Sequence, residues 1–422
     1  MHKLTVLDNG LKVITSRMAD VHSLTVGLWI KTGGRYESAK TQGISHFVEH
    51  MLFKGTKRRS CQQLKRGIED KGGIFNGFTA EEFVCYYVKI LSKNLRLASD
   101  ILSDMVLNPS LKPKDIEKER AVISEEIRMY LDLPMQHVQD LLDELIWPQH
   151  PLGMSLLGTY ETIGSINRQD FIRHKDKFHV PNNIIATACG NIKHEAFLDM
   201  MTHMFKGSRS AKPASFKKVS ASRLKLRTNF YHKDTEQTHL CLGARALSRS
   251  HPLRYALSLL NIILGGNMSS RLFNEIREKR SLAYEIGSSL KQYSDTGSFF
   301  IHAGIDNRKV DDAISIMISE LGKTKKSFVT KRELNMAKEY YRSGLFMALE
   351  DTMANMLFLG EQAAGSGKIR TKEEILGDIE KVDADMIKDV ANKVFVDKNL
   401  KLAMIGPQQQ EGKKKIEGLL HL

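Results

Sequence analysis

Two histidines and a glutamate stand close together in His46-Phe47-Val48-Glu49-His50. On a helix, side chains four apart lie one above the other, so His46 and His50 could chelate one metal ion. Glu49 would sit beside them without having to be a ligand, placed to take a proton from a metal-bound water. The surrounding residues predict that helix. Ile44, Phe47, Val48, Met51 and Leu52 recur at helical spacing and make one apolar face across residues 43–55. The same pattern also fits a helix flanking a core with two exposed histidines.

A catalytic zinc site holds three protein ligands and keeps one position open, so a further Asp, Glu, His or Cys is needed. The candidate lies in residues 115–128, a run opened by Pro113 as suits a helix start. Ile116, Ile123, Ile127 and Tyr130 form its apolar face. At ~100° per residue, Ile123 and Ile127 lie within about 20° of Ile116, Glu119 and Glu126 fall at about 300° and 280°, and Glu125 at about 180°. Glu119 and Glu126 therefore border the buried face while Glu125 points to solvent. This makes Glu126 the candidate third ligand, and Glu119 the carboxylate that takes the free N–H of a ligating histidine. A purely solvating role suits Glu117 and Glu125. It suits Glu119 and Glu126 less well, because a carboxylate at the edge of a core needs a compensating partner.

The elements that must hold these residues are legible in outline. The chain has 422 residues, enough for two domains. Residues 24–31 and 83–91 read as strands in the first half, and 238–243 and 297–304 in the second. Each half mixes such runs with amphipathic helices, the pattern of an α+β domain. The second-half counterpart of the motif helix, residues 255–264, contains no histidine or acid, which suggests a duplication in which only the first copy binds metal. The net charge is +14, but it is unevenly spread: 26 basic against 24 acidic residues in 1–205, 8 against none in 206–230, and 29 against 25 in 231–422. The basic stretch also carries Gly207, Ser208, Ser210, Pro213 and Ser215, so 207–229 reads as a linker between domains 1–206 and 230–422. It lacks aromatic platforms for bases, and no specific nucleic-acid binding is expected. Cys61, Cys85, Cys189 and Cys241 are scattered and form no C-x-x-C pair, which argues against a disulfide framework or a cysteine metal site. No apolar run approaches a membrane span. The first residues enter a strand directly, without the features of a signal or transit peptide, so a cytoplasmic, bacterial protein is expected.

With these residues in place, the chain resembles the pitrilysin family of zinc peptidases (inverzincins, from the H-x-x-E-H order), in the short-chain subgroup that includes mitochondrial processing peptidase and its bacterial relatives. Glu119-Arg120-Ala121-Val122-Ile123-Ser124-Glu125-Glu126-Ile127 matches the family's E-R-x-V-I-x-x-E-I setting, in which the final glutamate of the pattern is a zinc ligand. The resemblance extends through the Asn9-Gly10 turn and Leu11-Lys12-Val13, through Gly72-Gly73-Ile74-Phe75-Asn76-Gly77-Phe78-Thr79 (Gly77 replacing the usual alanine), and through His150-Pro151-Leu152-Gly153 and Leu157-Gly158-Thr159. In residues 270–284, Arg277 and Tyr284 match an R-x-x-x-x-x-x-Y signature that precedes a strand.

The resemblance implies two related α+β domains, each an antiparallel sheet with helices on one face, together forming half of a clam-shell. It implies one Zn²⁺ per chain on His46, His50 and Glu126, with Glu49 as general base. The peptide substrate, unfolded or short, would add as a strand along Asn76, Gly77, Phe78 and Thr79. Arg277 and Tyr284 would reach the peptide and the reacting carbonyl, where an oxyanion develops. Since the family's longer chains enclose substrate between two such halves, a homodimer is expected, with Arg277 and Tyr284 acting in trans. A heterodimer with an inactive homologue is the competing arrangement. That inactive partner carries a glycine-rich loop, whereas only Gly265 and Gly266 occur at this place here. Some relatives are catalytically silent structural subunits of a larger assembly, which is the alternative function.

Overall fold

Alternation of side chains builds the first sheet. In β3 (Ser23–Ile30), Leu24, Val26, Leu28 and Ile30 join one core, while Trp29 joins another on the opposite face. The computed structural model describes residues 2–220, 226–407 and 410–422. It divides into two compact units, each assembled from three stretches of chain.

The first unit comprises Met1–Arg128, Met154–Lys217 and Phe346–Thr371. Its sheet contains β1 (His2–Val6), β2 (Lys12–Arg17), β3, β4 (Ile74–Thr79), β5 (Val84–Leu91) and β6 (Ile184–Gly190), in the order β1-β2-β6-β3-β5-β4. The larger core lies against the motif helix (Ile44–Leu52), whose Ile44, Phe47, Val48, Met51 and Leu52 are all buried. The second unit comprises Met129–Gly153, Lys218–Leu345 and Lys372–Leu422. Its sheet contains β7 (Thr228–His232), β8 (Gln237–Ala246), β9 (Ala283–Gln292), β10 (Gly297–Asp306) and β11 (Lys401–Gly406), ordered β7-β11-β8-β10-β9. Setting β1 aside, the two orders are the same, with β2, β6, β3, β5 and β4 corresponding to β7, β11, β8, β10 and β9. The α+β class and the duplication are thus both visible in the topology.

Three details differ from the sequence expectation. The sheets are mixed and not wholly antiparallel: β2 runs parallel to β6, and β7 parallel to β11, at equivalent places in the two units. Neither sheet has helices on one face only. The helix Thr352–Gly365 lies on the Trp29 side of the first sheet, where Met356, Leu359, Ala363 and Ala364 pack with Ile14, Cys85 and Ile185. The helix Pro134–Ile146 does the same in the second unit, where Val138 and Leu142 meet Cys241, Phe300 and Ile405. Helical periodicity shows which residues must be buried, but it cannot say which sheet buries them. Finally, the stretch expected as a linker is not a free connector. Phe216 stacks 3.9 Å from the Arg35 guanidinium, Asn182 holds the carbonyl of Ala211, and β7 begins at Thr228. Residues 221–225 of that stretch lie outside the described residues. No helix among the described residues is long and apolar enough to cross a membrane.

The Thr352–Gly365 helix approaches β3 closely because glycine stands at the contact. A Cβ on Gly360 would overlap the Trp29 indole, which is itself pinned by donating from Nε1 to Thr187 Oγ1 at 3.0 Å. Gly360→Ala, although favourable for helix propensity, is expected to lower the unfolding free energy by about 1–3 kcal/mol in urea titrations.

Candidate metal centre

The motif helix is held at its start by a residue far from the usual capping position. Gly43 occupies the N-cap with φ 86° and has no side chain to cap with. The carboxylate of Glu37 does so instead, accepting from the backbone N–H groups of Gly43 and Ser45, each at 2.8 Å. A negative charge there also complements the helix dipole. Burial pushes the Glu37 carboxyl up, opposed by its hydrogen bonds from Ser45 and Gly43. Gly43 must be glycine on steric grounds too, since a Cβ would lie 2.7 Å from the Leu157 carbonyl oxygen and 2.8 Å from Gly158 Cα. This gives the Leu157-Gly158-Thr159 stretch a physical role: its turn is packed under the first residue of the motif helix.

The helix Pro113–Asp132 supplies the carboxylates. Ile116, Ile123 and Ile127 are buried in the core that also takes Phe47 and Met51. Glu119 and Glu126, two turns apart, therefore share one edge of the helix. His46 and His50 on the motif helix, with Lys54 in the turn just past its end, form a matching stripe at intervals of four. The two stripes interleave. Glu126 Oε2 is 3.7 Å from His46 Nε2 and 3.6 Å from His50 Nε2. Glu119 Oε2 is 3.1 Å from His50 Nδ1, and its Oε1 is 2.5 Å from Lys54 Nζ. Residue numbers rise along one helix as they fall along the other, so the helices run antiparallel here. Glu125, by contrast, is 73% exposed and faces Arg128.

His46, His50 and Glu126 each offer one ligand atom within 4.8 Å of the others, the one such group of three among the described residues. The separations fit a metal. At 3.6 and 3.7 Å the imidazole nitrogens are too far from Glu126 Oε2 for hydrogen bonds. Ligands about 2.0–2.1 Å from a tetrahedral zinc would stand about 3.3–3.4 Å apart, close to the separation of Glu126 from each imidazole. Burial, and then the neighbouring His50, push His46 down to about 3, leaving it neutral with a lone pair to give. A carboxylate only accepts hydrogen bonds, so Glu119 holds the proton of His50 on Nδ1 and leaves Nε2 toward Glu126. Glu49 lies beside the cluster. Its Oε2 accepts from Thr79 Oγ1 at 2.5 Å. Burial raises its carboxyl, the Thr79 hydrogen bond and His50 lower it, and Glu126 raises it again.

The residues expected to meet substrate are placed as follows. Asn76, Gly77, Phe78 and Thr79 lie on β4, the edge strand of the first sheet, paired on one side with β5. Asn76 Oδ1 accepts locally from Gly77 N at 2.8 Å. Phe78 packs edge-on against Trp29 at 5.8 Å. Gly77 leaves little room: a Cβ would come within 3.1 Å of the Tyr86 ring. Arg277 and Tyr284 belong to the second unit and adjoin each other, the guanidinium lying 5.2 Å from the Tyr284 ring and 4.8 Å from that of Phe273. Arg277 sits in a turn of π-helix, Phe273–Glu278, and Tyr284 is 77% exposed near the start of β9. Both line a depression of about 580 Å³ with Gln237, Glu278 and Asp306. The second-unit counterpart of the motif helix, Arg254–Gly265, buries an apolar face in the same way but carries no histidine or acid.

A duplicated α+β fold that carries a converging His-His-Glu set in one copy, beside a carboxylate of raised pKa, is that of a metal-dependent peptidase. Residues 12–160 match the family described as insulinase (peptidase family M16), and residues 165–341 match the peptidase M16 inactive domain. An uncharacterized zinc protease of Bacillus subtilis is 33% identical over 407 residues, covering 96% of this chain and 98% of that one. One of Mycobacterium tuberculosis is 34% identical over 410 residues, covering 96% and 92%. The chain belongs to the M16 family of metallopeptidases, with Zn²⁺ as its metal. Among solved structures, a protease from Helicobacter pylori shares the fold with a TM-score of 0.90 at 22% identity, covering 96% of this chain and 99% of that one. A chain of Complex III2 from Candida albicans shares it at 0.84 and 20% identity, covering 100% of both.

Two residues of the site escaped the sequence reading. Lys54 was findable, since it extends the histidine stripe by one more turn. Glu37 left only an indirect trace: a helix that starts on glycine must find its cap elsewhere. Glu37→Ala should cost about 1–2 kcal/mol of stability, measured by chemical denaturation of the metal-free protein, and should also weaken zinc binding.

Proposed function

We propose that this protein is a zinc-dependent endopeptidase that hydrolyses unfolded or short peptides. The observation that carries the reading is the convergence of His46 Nε2, His50 Nε2 and Glu126 Oε2 beside Glu49. Zn²⁺ held by these three residues supplies Lewis acidity, which acidifies water and polarises a carbonyl. Glu49 takes the proton of the attacking water and later passes it to the leaving amine. Burial raises its proton affinity toward that task, and Thr79 holds its carboxylate in place. The peptide adds as a strand to the open edge of β4, so main-chain hydrogen bonds bind it without strict sequence demands. Asn76, at 76 on that strand, grips the peptide backbone.

Arg277 and Tyr284 donate to the oxyanion as it forms. In this reading they do so from a second copy of the chain in a homodimer. The exposure of Tyr284 supports a role in contact with another molecule. The alternative is a silent structural subunit of a larger assembly, and a chain of a fungal Complex III2 does share the fold. Such a subunit has no use for a converging ligand set with a carboxylate beside it, which favours the enzyme.

Glu49→Gln should retain one zinc per chain and lose peptide hydrolysis by several orders of magnitude, read with a quenched fluorescent peptide. Hydrolysis at the normal rate would remove Glu49 from the role of base. Mixing Glu49→Gln chains with Tyr284→Phe chains should regain activity that neither has alone, because one of the two sites in a mixed dimer is then intact. No recovery after verified subunit exchange would count against action in trans.

A further inference from the structure

We propose that Lys54 is a positioning residue of the metal centre, acting on zinc through Glu119 and His50. The inference rests on the metal reading above. Glu119 has a side chain only 7% exposed, and a carboxylate so far from water must find its partners within the protein. It has two, one on each oxygen. Lys54 Nζ donates to Oε1 at 2.5 Å, and His50 Nδ1 meets Oε2 at 3.1 Å. With both oxygens engaged, the carboxylate cannot rotate away from the imidazole. His50 in turn is held with Nε2 toward Glu126.

The charge distribution points the same way. Glu49, Glu119 and Glu126 gather around two imidazoles, and among the described residues Lys54 is the one lysine or arginine in an ion pair with any of the three. Lys54 stands in the turn just past the helix C-cap Phe53, its backbone N–H bonded to the Met51 carbonyl at 3.1 Å, so it continues the spacing of four set by His46 and His50. Removing the ammonium leaves Oε1 without a donor in a buried setting. Glu119 must then turn toward water or toward another donor, and either move releases His50. A lysine on a helix end that merely solvates the surface would have no such consequence.

The test is zinc affinity, measured on the purified full-length chain by competition with a chromophoric chelator. Lys54→Met keeps the stem and removes the charge. It should weaken zinc binding by about 10-fold or more, the usual scale for losing an outer partner of a ligating histidine. Lys54→Arg should stay within about threefold of the parent, since a guanidinium can still donate to Oε1. Glu119→Gln should weaken binding, and adding Lys54→Met to it should change little further. Parent-like zinc affinity in Lys54→Met overturns the proposal. So does a double variant whose loss is the product of the two single losses, because Lys54 would then act independently of Glu119. Should Lys54→Met fail to fold, Lys54→Gln gives the same comparison. His46→Ala separates the two levels of the argument. If that variant binds zinc as the parent does, the ligand assignment itself is wrong, whatever Lys54 does.

Discussion

Two antiparallel helices that interleave complementary polar stripes are the constraint on which this site depends. His46 and His50 descend one helix and Lys54 follows in the turn at its end, Glu126 and Glu119 climb the other, and each carboxylate fits between two of the basic groups. The ladder is not held by its own polar contacts. Behind it, Phe47, Met51, Ile116 and Ile123 share a core, and their burial sets the distance and register between the helices. At this register a shift of one residue on either helix would rotate its stripe by about 100° and dissolve the cluster. Apolar packing thus fixes the geometry, and the polar edge is fitted to it. Glu37 at one end of the motif helix and the Gly43–Gly158 contact beneath it limit the remaining freedom to slide.

The duplication shows how little of a domain is needed to keep its fold once its chemistry is gone. Apart from β1, both sheets have the same strand order and the same parallel pair, yet the helix Arg254–Gly265 carries no histidine or acid. Its buried Leu257, Leu260 and Leu264 do what Phe47 and Met51 do in the first unit, without anything to present at the edge. The second copy has instead an exposed tyrosine beside an arginine, at the start of its own edge strand.

Much of this was legible in the sequence, for identifiable reasons. The motif helix and the Pro113–Asp132 helix each have a strong 3.6-residue apolar period. Applying that period to the acids separated Glu119 and Glu126 from Glu125, and the structure brings the first two to His50 while Glu125 faces Arg128. The strands around residues 24–31 and 83–91 were visible from β-branched and aromatic runs, and both form. Strand direction was not visible, because pairing partners far apart in sequence leave no local mark; β2 meets β6 across some hundred and seventy residues. Nor was the destination of the Pro134–Ile146 and Thr352–Gly365 helices, whose amphipathic faces would suit either sheet. Thr79 shows a different limit. Its place on the edge strand suggested contact with substrate, whereas its hydroxyl is turned to Glu49.

The placement of the Thr352–Gly365 helix bears on how the protein is made. It is encoded after the whole of the first sheet and after β7 to β10 of the second, yet it covers the Trp29, Cys85 and Ile185 side of the first one. During synthesis, that apolar surface has no lid until nearly nine-tenths of the chain has left the ribosome. The N-terminal half therefore cannot mature as an autonomous module. An expression fragment ending near residue 217 would display a bare sheet face, and its insolubility would say nothing about the competence of the proposed metal site.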